Sequence, residues 1–371
     1  MAAAIDHGYL PAGRYVLNHD IRHGTAEGVA GNHLYSGRAL GVSEPWDLIQ
    51  LHHDLKPLWL DITAHYRRIG LRFSENVIWH LHYAELGEHI GFQPSVFYFG
   101  PEQCRFWGDH AWLEAVEYIN SKNNFIALAE KLGVDVPKTL CFDRPSDALD
   151  ADLSEMGFPC YAKAAVSVAG VGIYRCEHQD QLRDALARFE DEVPIQLQEG
   201  VEAVSFLNMQ YRVMGKSVVR LAVSEQILDG FAHQGNRVPA SHEPWGSVEP
   251  MAHWLVERGM KGIFAFDVAV VQTERGLRFP AIECNPRFNG ASYPTAIAHK
   301  LDIPEWSAVT MKTSHRDLST IDLSGIEFDP KSGVGVIIVN WGPVLVGKLL
   351  MMLAGSPEQQ EALRVELESR L

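Results

Sequence analysis

Apolar positions in this chain fall into short alternating or continuous runs, and the most informative pair lies late in it. Residues 262–271 and 279–287 are rich in β-branched and aromatic side chains, and the polar stretch Thr273-Glu274-Arg275-Gly276 separates them. The pattern predicts two strands joined as a hairpin. With the hairpin centred on Arg275, Asp267 falls opposite Glu283, where directly paired residues lie about 5 Å apart. Asn285 shares that face because strand side chains alternate. Two carboxylates so close repel unless a cation joins them, and a hard divalent ion such as Mg2+, shared with phosphate oxygens, is the simplest one. The alternative is a solvated polar cluster at a strand end.

The same reading along the rest of the chain predicts a mixed α/β region first. Residues 48–68 carry apolar positions at helical spacing, interrupted at Pro57. Residues 76–82 read as a strand, 84–90 as a helix and 95–99 as a second strand, with no clear opening strand and no glycine-rich dinucleotide fingerprint. A helix is expected over 122–132, capped by Ser121 and stopped by Gly133. Strands over 160–165 and 173–176 flank a loop of small residues, 167–172. A helix from 179 to 190 follows, and residues 195–202 lead into a strand-rich region. Longer strands are predicted over 204–213 and 218–226, a helix over 293–301 and a buried strand over 334–340. Ser356-Pro357-Glu358-Gln359 opens a last helix as a capping box.

Composition narrows the function classes. The chain has 371 residues, 46% hydrophobic and 21% charged, with a net charge of -15. That is ordinary for a globular protein of two or three domains. The acidic balance argues against nucleic-acid and anionic-membrane partners but leaves room for a single nucleotide. The five cysteines are scattered without a CxxC pair, which suits free thiols and a cytoplasmic setting. Residues 1–6 lack the features of a signal peptide, and no apolar run is long enough for a membrane span. Among the early histidines, His80 and His82 share a strand face, but no carboxylate or thiol stands at a matching spacing.

Lys163 lies in an apolar strand just before the small-residue loop. A buried ammonium there calls for an anion, and Gly170 and Gly172 would let backbone N–H groups approach a phosphate. A lysine snorkelling from an edge strand is the bland alternative. The ordered set is more specific: Lys122 opening a helix, Lys163 with its glycine loop, an acidic linker over 199–202, then Asp267 and Glu283-x-Asn285-x-Arg287. That order resembles the ATP-grasp superfamily over roughly residues 115–300.

The resemblance implies an α/β chain in the α+β manner of that superfamily. An N-terminal mixed α/β domain (1–115) would precede a small lobe with the glycine loop (116–200) and a large lobe with the metal site (201–330). Residues 331–371 would pack on the core. It further implies ATP with two Mg2+ ions, or Mn2+ in their place, held by Asp267, Glu283 and Asn285. ATP would contact Lys122, Lys163, Ser167, Gly170 and Gly172, with Glu199, Val201 and Glu202 at the adenine and ribose. Arg287 and Lys163 would be catalytic, and His233, Arg237 and Arg287 would meet the substrate. The implied activity joins a small carboxylate to an amine, forming an amide or peptide bond between amino acids or small peptides through an acyl phosphate. A homodimer is common among such relatives. A small-molecule kinase and a non-catalytic nucleotide-binding module are the rival readings.

Overall fold

The computed structural model describes residues 9–22, 31–83, 91–153, 156–166, 172–230 and 232–371. The helix expected over 84–90 and most of the small-residue loop, including Ser167 and Gly170, lie outside them.

Three sheets organise the chain. The first is parallel, in the order β3-β2-β1-β4, with β1 (Tyr15–Asn18), β2 (Leu48–Gln50), β3 (Val77–Ile78) and β4 (Gln93–Val96). This corrects two expectations. An opening strand, β1, is present, short and fully buried. The segment from Leu48 is not helical from its start: β2 pairs alongside β1, and the helix begins only at Trp59, after a 3-10 turn (His53–Leu58) that contains Pro57. Leu48, Ile49 and Gln50 are buried on both faces, as strands of parallel sheets are, so their apolar spacing fits either element.

The second sheet is antiparallel, in the order β5-β8-β6-β7, with β5 (Thr139–Phe142), β6 (Cys160–Ala164), β7 (Ile173–Cys176) and β8 (Ile195–Glu199). It has its own small core around Ala162, Leu182 and Leu197. The helix Lys122–Leu132 leads into it. Ser121 caps this helix by accepting from Asn124 N, and Gly133 ends it at a positive φ of 69°. The backbone N–H of Lys122 donates to Ala165 O at 2.7 Å, which fixes the helix start to the end of β6.

The third sheet holds nine strands: β9 (Ala203–Met214), β10 (Ser217–Asp229), β11 (Ala232–Val238), β12 (Ile263–Thr273), β13 (Gly276–Arg278), β14 (Ala281–Asn285), β15 (Trp306–Lys312), β16 (Gly335–Asn340) and β17 (Lys348–Ala354). Its order is β13-β12-β9-β10-β11-β15-β17-β16, with β14 also pairing β12. Phe264, Phe266, Val268 and Val270 alternate onto one face and pack on helices including Lys122–Leu132 and Glu249–Glu257. The remaining strands of this sheet share a core with the first sheet. Tyr66 OH donates to Ile338 O at 3.0 Å, and Trp341 Nε1 donates to Gly37 O at 2.9 Å. The five cysteines are all unpaired, and no helix among the described residues is long and apolar enough to cross a membrane.

Candidate active site

The hairpin places Asp267 opposite Glu283, as the spacing predicts, though by a less direct route. Thr273 pairs with Gly276, so the turn centres between Glu274 and Arg275 rather than on Arg275. Asp267 pairs with Glu283 but Val268 pairs with Ala281, which leaves Ile282 as an extra residue in β14. That bulge shifts the register by one and brings the two carboxylates level.

Asp267 is met from three sides by amides. Asn208 Nδ2 and Gln226 Nε2 each donate to its Oδ1 at 2.8 Å, and Asn285 Nδ2 donates to Oδ2 at 3.0 Å. Arg287 Nη1 donates to Asn285 Oδ1 at 2.7 Å. Burial, and then the Glu283 charge, push the Asp267 carboxyl up to about 7 against the bonds from Asn208 and Asn285. Burial alone would raise Glu283 too, but Lys122, Lys163 and Arg287 outweigh it and hold Glu283 below the usual carboxylate range. Lys122 Nζ stands 3.4 Å from Glu283 Oε2. Lys163 is buried on β6 and donates to Gln198 Oε1 at 2.6 Å; burial draws its ammonium down to about 8, with Glu283 opposing. Lys122, opening the helix Lys122–Leu132, and Lys163, on β6, thus both act on the Glu283 carboxylate of the large sheet.

The expected nucleotide residues are distributed as follows. Gly172 has a positive φ of 72°, and its carbonyl accepts from Ala164 N at 3.0 Å. Ser167 and Gly170 lie outside the described residues. Glu199 ends β8, where its carboxylate accepts from Lys138 N at 2.8 Å. Val201 and Glu202 form the short link to β9. Gly200 approaches Pro159 so closely that a Cβ there would lie 2.7 Å from the Pro159 carbonyl oxygen.

A polar belt that sequence reasoning missed crosses the large sheet from these carboxylates. Asn208 pairs with Asp267 and with Ser224, and Gln226 pairs with Asn236, so all lie in neighbouring rows. Asn236 Nδ2 donates to Ser224 Oγ at 3.0 Å, and His233 Nε2 lies 2.7 Å from Asn236 Oδ1. Only the presence of amides at alternating positions of long strands could have marked it.

The belt ends at a pocket of about 160 Å³ whose walls include Tyr35, Arg38, His233, Thr310, Asn340 and Lys348. Arg38 is buried, stacked over Tyr293 at 4.2 Å and Phe97 at 5.1 Å, and Arg287 lies over the same Phe97 ring at 5.4 Å. Arg38 Nη2 and Asn340 Oδ1 are buried and have no hydrogen-bond partner among the described residues. Among the described residues, two cations and no carboxylate line this pocket.

His233 is therefore at the pocket, but Arg237 is not. β11 carries an extra residue, Gln234, between the pairs Leu228–His233 and Ile227–Gly235. The bulge reverses the alternation, sending Arg237 to the other face, where it pairs with Glu225 across the strands and stays largely exposed.

Structure comparison finds whole-chain likenesses. N5-carboxyaminoimidazole synthetase from Staphylococcus aureus, complexed with ADP, matches with a TM-score of 0.61 at 11% identity, covering 99% of this chain and 100% of that one. The Aspergillus clavatus synthase, in complex with ADP and 5-aminoimidazole ribonucleotide, matches at 0.58 and 12% identity, covering 98% and 99%. The N5-carboxyaminoimidazole ribonucleotide synthetase of Thermus thermophilus matches at 0.51 and 15%, covering 96% and 99%. No family model and no curated protein matches the sequence. At these identities the likeness speaks to the fold: the chain has the ATP-grasp fold from its first sheet to its last.

Proposed function

We propose that this chain is an ATP-dependent ligase that joins a carboxylate to an amine and releases ADP and phosphate. One observation carries the reading: the paired Asp267 and Glu283 stand among the cations Lys122, Lys163 and Arg287, which outweigh burial at Glu283. Burial and the neighbouring Glu283 charge raise the Asp267 carboxyl, so holding both carboxylates ionised together would call for a cation between them. These residues fit Mg2+, held by Asp267, Glu283 and Asn285. Bound there, the ion would screen the phosphates of ATP and polarise the one under attack.

The chain's own groups would do the rest. Lys122 and Lys163 would neutralise the phosphate tail, and the loop containing Ser167, Gly170 and Gly172 would cover it. Glu199, Val201 and Glu202 would border the adenine and ribose. A substrate carboxylate would attack the γ-phosphorus, giving an acyl phosphate and ADP, and the amine would then displace phosphate. Arg287 would hold the carboxylate or the transferring phosphoryl group, since both reactants are anionic and their approach needs fixed positive charge.

The pocket with Arg38 and Lys348 supports a substrate that carries an anionic group. Its orphaned Arg38 Nη2 and Asn340 Oδ1 call for an acceptor and a donor on that substrate. An amino acid or small peptide would meet this requirement, and the bond formed would then be an amide or peptide bond. The test is phosphate release from ATP across a panel of acids and amines. Release should require both partners, and Glu283→Gln should remain folded while losing at least about 100-fold in rate. Phosphate release by the variant at the wild-type rate would overturn the assignment, and ADP formation without free phosphate would indicate a kinase.

A further inference from the structure

A second cluster of ligand-type side chains stands on the first part of the chain, apart from the nucleotide machinery. His33 is the second residue of the 3-10 turn Asn32–Arg38, His52 caps the turn His53–Leu58, and Asp54 is the second residue of that turn. His33 Nε2 is 3.1 Å from Asp54 Oδ2, and His52 Nδ1 is 3.5 Å from the same oxygen. The His33 and His52 rings are 4.5 Å apart between centroids. One ligand atom from each of the three residues lies within 4.8 Å of the other two. Tetrahedral coordination with bonds of about 2.0–2.1 Å sets neighbouring ligand atoms about 3.3 Å apart. The two contacts to Asp54 bracket that spacing.

We propose that His33, His52 and Asp54 bind one divalent transition-metal ion, Zn2+ or an ion of similar chemistry, with a coordination position left open to water. Two imidazoles and one carboxylate form a borderline donor set, which suits zinc and its neighbours and not the oxygen-seeking Mg2+ of the carboxylate pair. The ligands are held before any ion arrives. Leu34, Leu55 and Leu58 bury the inner sides of both turns, and His52 N donates to Ser36 Oγ at 3.1 Å, tying one turn to the other. The backbone contact to His52 Nδ1, from Asp54 N, is a long 3.3 Å. The outer sides of His33 and Asp54 are open to solvent, which gives an ion its path in. An ion there would clamp the turn that carries Tyr35 and Arg38. The site stands independently of the ligase reading.

Sequence spacing hides it, because His33 is nineteen places from His52. The test uses the full chain without an affinity tag, titrated calorimetrically with Zn2+ in excess Mg2+ so that the carboxylate pair is occupied. One ion per chain should bind with micromolar affinity, Co2+ should give the intense visible absorption of a tetrahedral centre, and zinc should raise the melting temperature. His33→Ala and Asp54→Asn, both at solvent-open positions, should each weaken Zn2+ at least about tenfold and remove the thermal shift. Unsaturable binding, or undiminished binding in both variants, would overturn the site.

Discussion

Glu327→Gln isolates one charge at the contact between the first sheet's helix and the last strands. Glu327 Oε1 is 2.7 Å from His65 Nδ1, and the carboxylate accepts from Arg68 Nε and Nη2 at 2.8 and 2.7 Å. Ile338 N donates to His65 Nε2 at 3.1 Å, which fixes the proton of the neutral imidazole on Nδ1, facing Glu327. Burial would raise the Glu327 carboxyl, but His65 and Arg68 overcome it and bring it from 4.5 down to about 2. At about 1.4 kcal/mol per pH unit this corresponds to about 3 kcal/mol. Arg68 is 58% exposed, so solvent screening reduces the figure to about 2 kcal/mol. A carboxyl depressed in the folded chain contributes fully above its unfolded value of 4.5 and loses that contribution as pH falls toward 2. At pH 7 the variant should therefore melt roughly 3–6 °C below the parent. The gap should narrow below pH 4.5, with more than half of it gone by about pH 3. Differential scanning calorimetry across that range, with urea midpoints as a second reading, gives the answer. A gap that stays constant with pH would assign the effect to packing and refute the charge argument. Buried His65 has its own pH window, linked to Glu327 through their contact. Its proton affinity is lowered by burial, with Glu327 opposing, so the stability it lends is complete above about 6.5 and drains as pH falls below that value, over a wider span in the variant, which lacks the Glu327 charge.

Other substitutions probe the site. Lys163→Ala removes a buried cation beside Glu283 and should weaken ATP binding by about 1.5–3 kcal/mol in calorimetry, the usual worth of a hydrogen bond to a charged group. Arg38→Met should raise KM for the anionic substrate at least about tenfold with little change in KM for ATP. Arg237→Ala should leave both constants within about twofold, because Arg237 spends its charge on Glu225 away from the pocket.

The hairpin carrying Asp267 and Glu283 was legible because its alternation, its polar turn and its carboxylates all agree. The helix over 122–132 was legible from its cap and its glycine stop. What escaped was structure that leaves no local trace. β1 is four residues long, and β2 is hidden inside a stretch with helical spacing. Asn208, Gln226 and Asn236 are ordinary amides until three strands align them. Arg237 was misplaced because simple alternation gives no warning of the extra Gln234, whereas Ile282, an extra residue of the same kind, happened to correct an approximate turn centre. Arg38 and Asn340 could not be paired from sequence, being about three hundred positions apart.

That separation matters for how the chain acquires its shape. Gly37 waits for Trp341, and Tyr66 for Ile338, partners 304 and 272 positions downstream. Closing such spans is entropically demanding and slow, so the opening sheet should spend the early phase of folding with its apolar side uncovered. A fragment cut after the first hundred residues would lack that cover altogether. It should be sticky and protease-sensitive, and residues 306–354 supplied in trans should rescue it more effectively than any substitution within it.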